Sequence, residues 1–223
     1  MFFLVIASLL WAFSFGLIKY TLADTNPLLV AWIRLALSFL VFVPFVKGGA
    51  DSRLTGRLAI LGAVQYGLMY AAYLQAFNYL KAYEVVLFTV LTPVYVTLFS
   101  DLAERKFNRL FFLCSRVASG AGAFIWLGWG DQGSLGIGFL LMQVSNICFA
   151  AGQVAYRRMM GRRSLVRDLR YFGYLYGGAV VLLTLIMPVG ISAGDLDFTG
   201  LQWAVLVYLG VVPSGLAFFL WNV

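Results

Sequence analysis

Long apolar runs follow one another along the chain, separated by short turns that hold most of its charge. Each run is close to the roughly 20 residues an α-helix needs to cross about 30 Å of hydrocarbon. The pattern predicts eight spans, at 2–20, 27–46, 58–79, 83–101, 110–129, 135–156, 171–191 and 201–222. The predicted fold class is all-α, a polytopic membrane helix bundle. The first run, MFFLVIASLLWAFSFGLIKY, has no basic residue ahead of it and no small-residue cleavage site. It reads as a first span and not a cleaved signal peptide.

The turns test that count. Lys47, Arg53 and Arg57 fall in one turn, Arg105, Lys106 and Arg109 in a second, and Arg157, Arg158, Arg162, Arg163, Arg167 and Arg170 in a third. The alternate turns hold only Lys19 and Lys81. This asymmetry places the basic turns, the N-terminus and residue 223 in the cytoplasm. It also accounts for the net charge of +7 without nucleic acid as a partner. The 157–170 turn reads first as a topology signal, and second as a contact for anionic lipid headgroups.

Short matches recur five spans apart. Phe13-x-x-Gly16-x-x-x-Tyr20 in span one resembles Phe149-x-x-Gly152-x-x-x-Tyr156 in span six. Gly62-x-x-x-x-Gly67-Leu68 in span three resembles Gly210-x-x-x-x-Gly215-Leu216 in span eight. A five-span unit inverts its second copy in the membrane. The expected division is a first repeat at 1–130 and an incomplete second repeat, three of five helices, at 131–223.

Polar residues inside the spans are the candidate chemistry. Tyr66, Tyr70 and Tyr73 share a helical face at mid-depth, where a hydroxyl needs a partner or water. Trp11 and Ser14 in span one, Thr89 in span four, Asn146 and Gln153 in span six and Ser214 in span eight lie at similar depth. Together they suggest a wet cavity, with interhelical packing as the competing reading. Pro93 and Pro213 each free a backbone carbonyl and mark gating or structural positions. Arg34 lies within span two and serves either an anion or a structural partner. Arg116 is near enough to the cytoplasm to snorkel. Lys19 and Glu84 sit at the outer ends of their spans, as interface anchors or gates.

Composition then excludes several classes. The chain of 223 residues is 62% hydrophobic and 11% charged. It has no histidine, which removes histidine metal sites and general bases. Cys114 and Cys148 both lie in apolar runs and read as packing residues. No Asp or Glu falls at mid-membrane. No nucleophile–base pair and no P-loop is present, so neither an enzyme nor a bound cofactor or metal is expected.

Four stretches together resemble the EamA branch of the drug/metabolite transporter superfamily, nearest its carboxylate/amino acid/amine transporter group. They are LLWAFSFGLIKY, NPLLVAWIRLALSFLVFVP, LTPVYVTLFSDLAERKFNRLFFLCSRVASGAGAFI and YLGVVPSGLAFFLWN. The resemblance implies a ten-helix carrier of the bacterial inner membrane, built from two inverted five-helix repeats. It implies export of small organic metabolites such as amino acids, amines or carboxylates through a central cavity, and leaves a homodimer open. By that resemblance Trp11, Tyr66, Tyr70, Thr89, Asn146 and Gln153 line the cavity, and Arg34 and Glu104 are signature positions with structural roles. The chain carries eight of the ten implied helices, so helices nine and ten are expected to be missing. The alternative expectation is a truncated, non-transporting protein that needs a partner to complete its cavity.

Overall fold

The computed structural model describes residues 2–46, 51–105, 113, 132–161, 165–187 and 196–222. The expected span at 110–129, with Cys114 and Arg116, lies outside the described residues apart from Leu113. All regular structure among the described residues is helical.

Helix α1 (Phe2–Thr21) leads to α2 (Pro27–Phe42) and a 3₁₀ turn at Val43–Phe45. Asn26 starts α2, accepting from the Leu28 N–H at 3.0 Å, and Pro27 occupies the first turn, where a missing donor costs nothing. Helix α3 (Ser52–Gly62) passes through a π-helical segment, Ala63–Leu68, into α4 (Met69–Ala76). The expected fourth span is two helices, α5 (Ala82–Thr89) and α6 (Thr92–Glu104). Pro93 explains the break, because it has no N–H for the Thr89 carbonyl and its ring crowds the turn before it.

Helix α7 (Gln132–Met160) and α8 (Leu165–Ile186) both run further into the basic 157–170 turn than the hydropathy pattern predicts. Asp168, expected in that turn, is instead buried in the first turn of α8, where it accepts from the Tyr156 hydroxyl at 2.8 Å. Helix α9 (Gly200–Leu209) continues through a second π-helical segment, Gly210–Leu216, into α10 (Ala217–Asn222). The two π-helical segments coincide with the two matched glycine stretches of spans three and eight.

Among the described residues, five helical stretches are long and apolar enough to cross a membrane: Pro27–Phe45, Ala82–Glu104, Gly133–Met160, Val166–Ile186 and Gly200–Asn222. Val5–Thr21 is apolar but shorter, and Ser52–Ala76 is not among the five. The surface agrees with a lipid setting. Leu9, Leu40, Leu140, Val181, Leu185 and Leu201 point outward, while Arg34, Ser38, Gln65, Asn146, Gln153 and Ser214 are buried.

Lipid supplies no hydrophobic drive between helices, so close backbone contact must hold them. Helices α3 and α8 meet through reciprocal glycines. A Cβ on Gly62 would lie 1.9 Å from the Leu175 carbonyl oxygen, and one on Gly178 would lie 1.8 Å from that of Ala59.

Candidate substrate cavity

The second π-helical segment is where the interior polar groups converge. Pro213 has no N–H for the carbonyl of Leu209, and the Ser214 hydroxyl donates to it instead, at 2.7 Å. The Trp11 indole N–H reaches the Pro213 carbonyl at 3.0 Å, the Ser38 hydroxyl reaches that of Gly210 at 2.8 Å, and Tyr176 donates to that of Ser214. Side chains from α1, α2 and α8 thus satisfy backbone that the irregular segment leaves open, as burial requires.

Having donated to Leu209, Ser214 Oγ keeps two acceptor positions. Tyr70 donates to one at 2.8 Å and Arg34 Nε to the other at 3.1 Å. Arg34 Nη2 donates on to the Tyr70 oxygen at 3.3 Å, and the guanidinium carbon lies 4.9 Å from the Tyr70 ring centroid. Arg34 is 2% exposed, and its Nη1 has no acceptor among the described residues. None of the acceptors found for Arg34 is a carboxylate.

Arg34 lines a cavity of about 820 Å³. Trp11, Ser14 and Phe15 of α1, Tyr70 and Tyr73 of α4, and Thr89 and Pro93 bound it. Asn146, Phe149 and Gln153 of α7 and Phe218 and Trp221 of α10 complete much of the wall. Phe218 is the hub of the aromatic side. Its ring lies 4.9 Å from Trp11, 5.6 Å from Phe149 and 6.1 Å from Tyr70. Towards one end the lining becomes polar, with Ser100, Glu104, Arg157 and Arg158.

Among the residues singled out from the sequence, Trp11, Ser14, Tyr70, Tyr73, Thr89, Asn146, Gln153, Arg34, Pro93 and Glu104 fall on this cavity. Tyr66 does not. The π-helical segment adds residues to a turn and rotates Tyr66 away from the Tyr70–Tyr73 face. Its ring stacks on Tyr176 at 5.0 Å instead. Ser214 sits behind the wall, holding Arg34. Pro213 contributes its carbonyl to Trp11 and does not line the space. Glu84 accepts from the Lys81 N–H at 2.7 Å and caps α5. Lys19 Nζ donates to the Phe77 carbonyl at 2.6 Å, away from the cavity.

The lining amides differ in what they have left to offer. Asn146 is engaged at both ends, accepting from Thr92 at 3.0 Å and donating to the Phe88 carbonyl at 2.9 Å. Gln153 is 3% exposed, and neither of its amide atoms has a partner among the described residues. Phe218 and Trp221 were not singled out from the sequence, and Phe149 only as part of a repeat match, not as a cavity residue. The spacing of Phe218 and Trp221, three apart on one face beyond the proline, was the available signal.

A polar, aromatic-lined cavity within an apolar helical bundle is the architecture of a multi-pass membrane protein that can enclose a small molecule. Residues 1–128 match the EamA-like transporter family. Over 99% of its length the chain is 39% identical to a probable biotin transporter of Pseudomonas aeruginosa, covering 78% of that protein. It is 37% identical to a biotin transporter of Salmonella typhimurium and 36% identical to one of Escherichia coli K12, in each case over 98% of this chain and 74% of the relative. A solved crystal structure at 18% identity overlays with a TM-score of 0.69, covering 99% of this chain and 77% of that one, and shares its fold. The chain belongs to the EamA-like transporter family and is a membrane transporter, with a small-molecule substrate and the lipid bilayer as its partners.

Proposed function

We propose that this chain carries biotin across the bacterial inner membrane through the cavity described above. The observation that carries the reading is the open Nη1 of Arg34. A buried guanidinium without a carboxylate partner is costly, and a guest carboxylate at that position completes its hydrogen bonds and balances its charge. Amines do not suit such a site; a monocarboxylate does. Biotin joins a carboxylate tail to an uncharged fused ring system, which suits the rings of Trp11, Tyr70, Phe149 and Phe218. The cavity volume of about 820 Å³ lies within the usual range for sites that enclose a small organic molecule. The names of the relatives support the same substrate.

In this reading Trp11, Ser14, Tyr70, Tyr73, Thr89, Asn146 and Gln153 form the path, and Arg34 holds the carboxylate. Ser100, Glu104, Arg157 and Arg158 sit at the cytoplasmic end, on the side assigned by the basic turns. At the opposite end Lys19 ties α1 to the Phe77 carbonyl, and Gln202 donates to the Thr21 carbonyl at 3.3 Å. The arrangement therefore faces inward, with the outer end latched. The matched π-helical segments support a division into two inverted repeats, at 1–130 and 131–223, that rock against each other.

The test is uptake of labelled biotin by cells that lack their own biotin transporter and express this chain. Saturable uptake, competed by unlabelled biotin, is expected. Uptake no faster than in cells with an empty vector would refute the reading.

A further inference from the structure

We infer that Gln153 recognises the ureido ring of the substrate through a two-point hydrogen bond, an assignment that rests on the biotin reading. Among its described side chains, helix α7 carries three buried amides, and two are already engaged. Gln143 accepts from the Tyr95 hydroxyl at 3.0 Å and donates to the Phe139 carbonyl at 3.3 Å, and Asn146 bridges Thr92 and Phe88. Gln153 alone of the three lines the cavity with both its donor and its acceptor unused. A buried amide in that condition awaits a partner.

The chemistry of that partner follows from the amide itself. A primary carboxamide presents N–H and C=O side by side. A cyclic urea presents the same two groups in complementary order, so the two close a paired ring of hydrogen bonds. A carboxylate, an amine or a hydroxyl cannot fill both positions at once.

The position of Gln153 also fits. The neighbouring Gly152 leaves a notch that Gln65 fills, since a Cβ there would lie 2.4 Å from the Gln65 Cβ. Gln65 precedes Tyr70 by five residues on the same continuous helical run. Tyr70 in turn holds Arg34. Phe149, one turn before Gln153, links to Tyr70 through Phe218, at 5.6 Å and then 6.1 Å. The lining thus runs from an open amide, along aromatic rings, to an open guanidinium. Biotin has the same order: urea, apolar rings and chain, carboxylate.

The competing role for Gln153 is structural, an amide pair with Gln65, whose own amide atoms are also without partners among the described residues. The experiment separates the two by substrate preference. Full-length wild type, Gln153→Leu, Gln153→Glu and Gln65→Leu are compared for biotin uptake at matched membrane levels. The competitors are dethiobiotin, which keeps the cyclic urea, octanoate, which has only the carboxylate, and 2-iminobiotin, whose guanidinium is cationic at neutral pH.

For Gln153→Leu the advantage of dethiobiotin over octanoate should fall about tenfold or more, because the urea loses both partners. Gln153→Glu should take up biotin more slowly but gain relative affinity for 2-iminobiotin, its carboxylate now pairing with the guanidinium. Gln65→Leu should leave the preference unchanged. If Gln153→Leu fails to reach the membrane, Gln153→Glu carries the decision. Unchanged preference in the Gln153 variants, or loss shared equally by all competitors, overturns the assignment and leaves biotin transport standing. If the wild type takes up no biotin, the transport reading itself falls and the assignment with it.

Discussion

Arg34 Nε donates to Ser214 Oγ at 3.1 Å, joining residues 180 positions apart in the chain. The bond couples a buried arginine on the cavity wall to the segment in which Pro213 breaks regular helix pairing. Ser214 meets the Leu209 carbonyl, Tyr70 and Arg34 together, so backbone irregularity and the candidate anion site share one hydroxyl.

Replacing Arg34 tests the anion site. Arg34→Lys keeps the charge but loses the planar fork that reaches Ser214, Tyr70 and a carboxylate at once. Biotin uptake should fall about tenfold or more, corresponding to about 1.4 kcal/mol or more. Arg34→Met should abolish it. In the wild type, biotin amide should compete poorly against labelled biotin. Equal competition by the amide and the acid would show that Arg34 does not read the carboxylate.

Tyr70→Phe isolates a single hydroxyl. The ring keeps its place against Phe218 and Tyr73, but Arg34 and Ser214 each lose a hydrogen-bond partner. The expected loss of stability is about 1–3 kcal/mol, visible as a lower unfolding temperature in detergent. Biotin uptake should fall as well, since the guanidinium is less firmly held.

The α3–α8 contact is tested by Gly62→Ala and Gly178→Ala. Each added methyl meets backbone on the facing helix, which cannot rotate away as a side chain can. Each variant should lose about 1–3 kcal/mol or fail to accumulate. Gly16→Ala, with nothing within 4 Å of the new carbon, is the control and should behave as wild type. Equal unfolding temperatures for all three would refute this packing.

Topology is tested by single cysteines in a background with Cys114 and Cys148 replaced by Ala. Tyr20→Cys, at a position 95% exposed, should react with a membrane-impermeant maleimide added outside intact cells. Arg53→Cys should react only after permeabilisation. The reverse pattern would invert the orientation.

Several residues of the candidate cavity were legible because mid-span polar side chains need partners. That argument found Trp11, Ser14, Tyr70, Tyr73, Thr89, Asn146 and Gln153, all on the cavity. It placed Tyr66 there too, because equal helical spacing hides a π-helical segment that turns one residue off the face. It passed over Phe218 and Trp221, since an aromatic facing a cavity and one facing lipid look alike in a hydropathy pattern.

The sequence by itself determined the class of molecule. Apolar runs of spanning length must be helical, because lipid offers the backbone no other hydrogen-bond partner, and the charged turns carry the orientation signal. Tertiary structure alone decided which buried polar groups are already used and which remain open. Asn146 and Gln153 lie on the same helix and look equally available, yet Thr92 and the Phe88 carbonyl engage one, while the other has no partner among the described residues. Hydrogen-bond satisfaction is a relation between side chains on separate helices, so it exists only once those helices have packed.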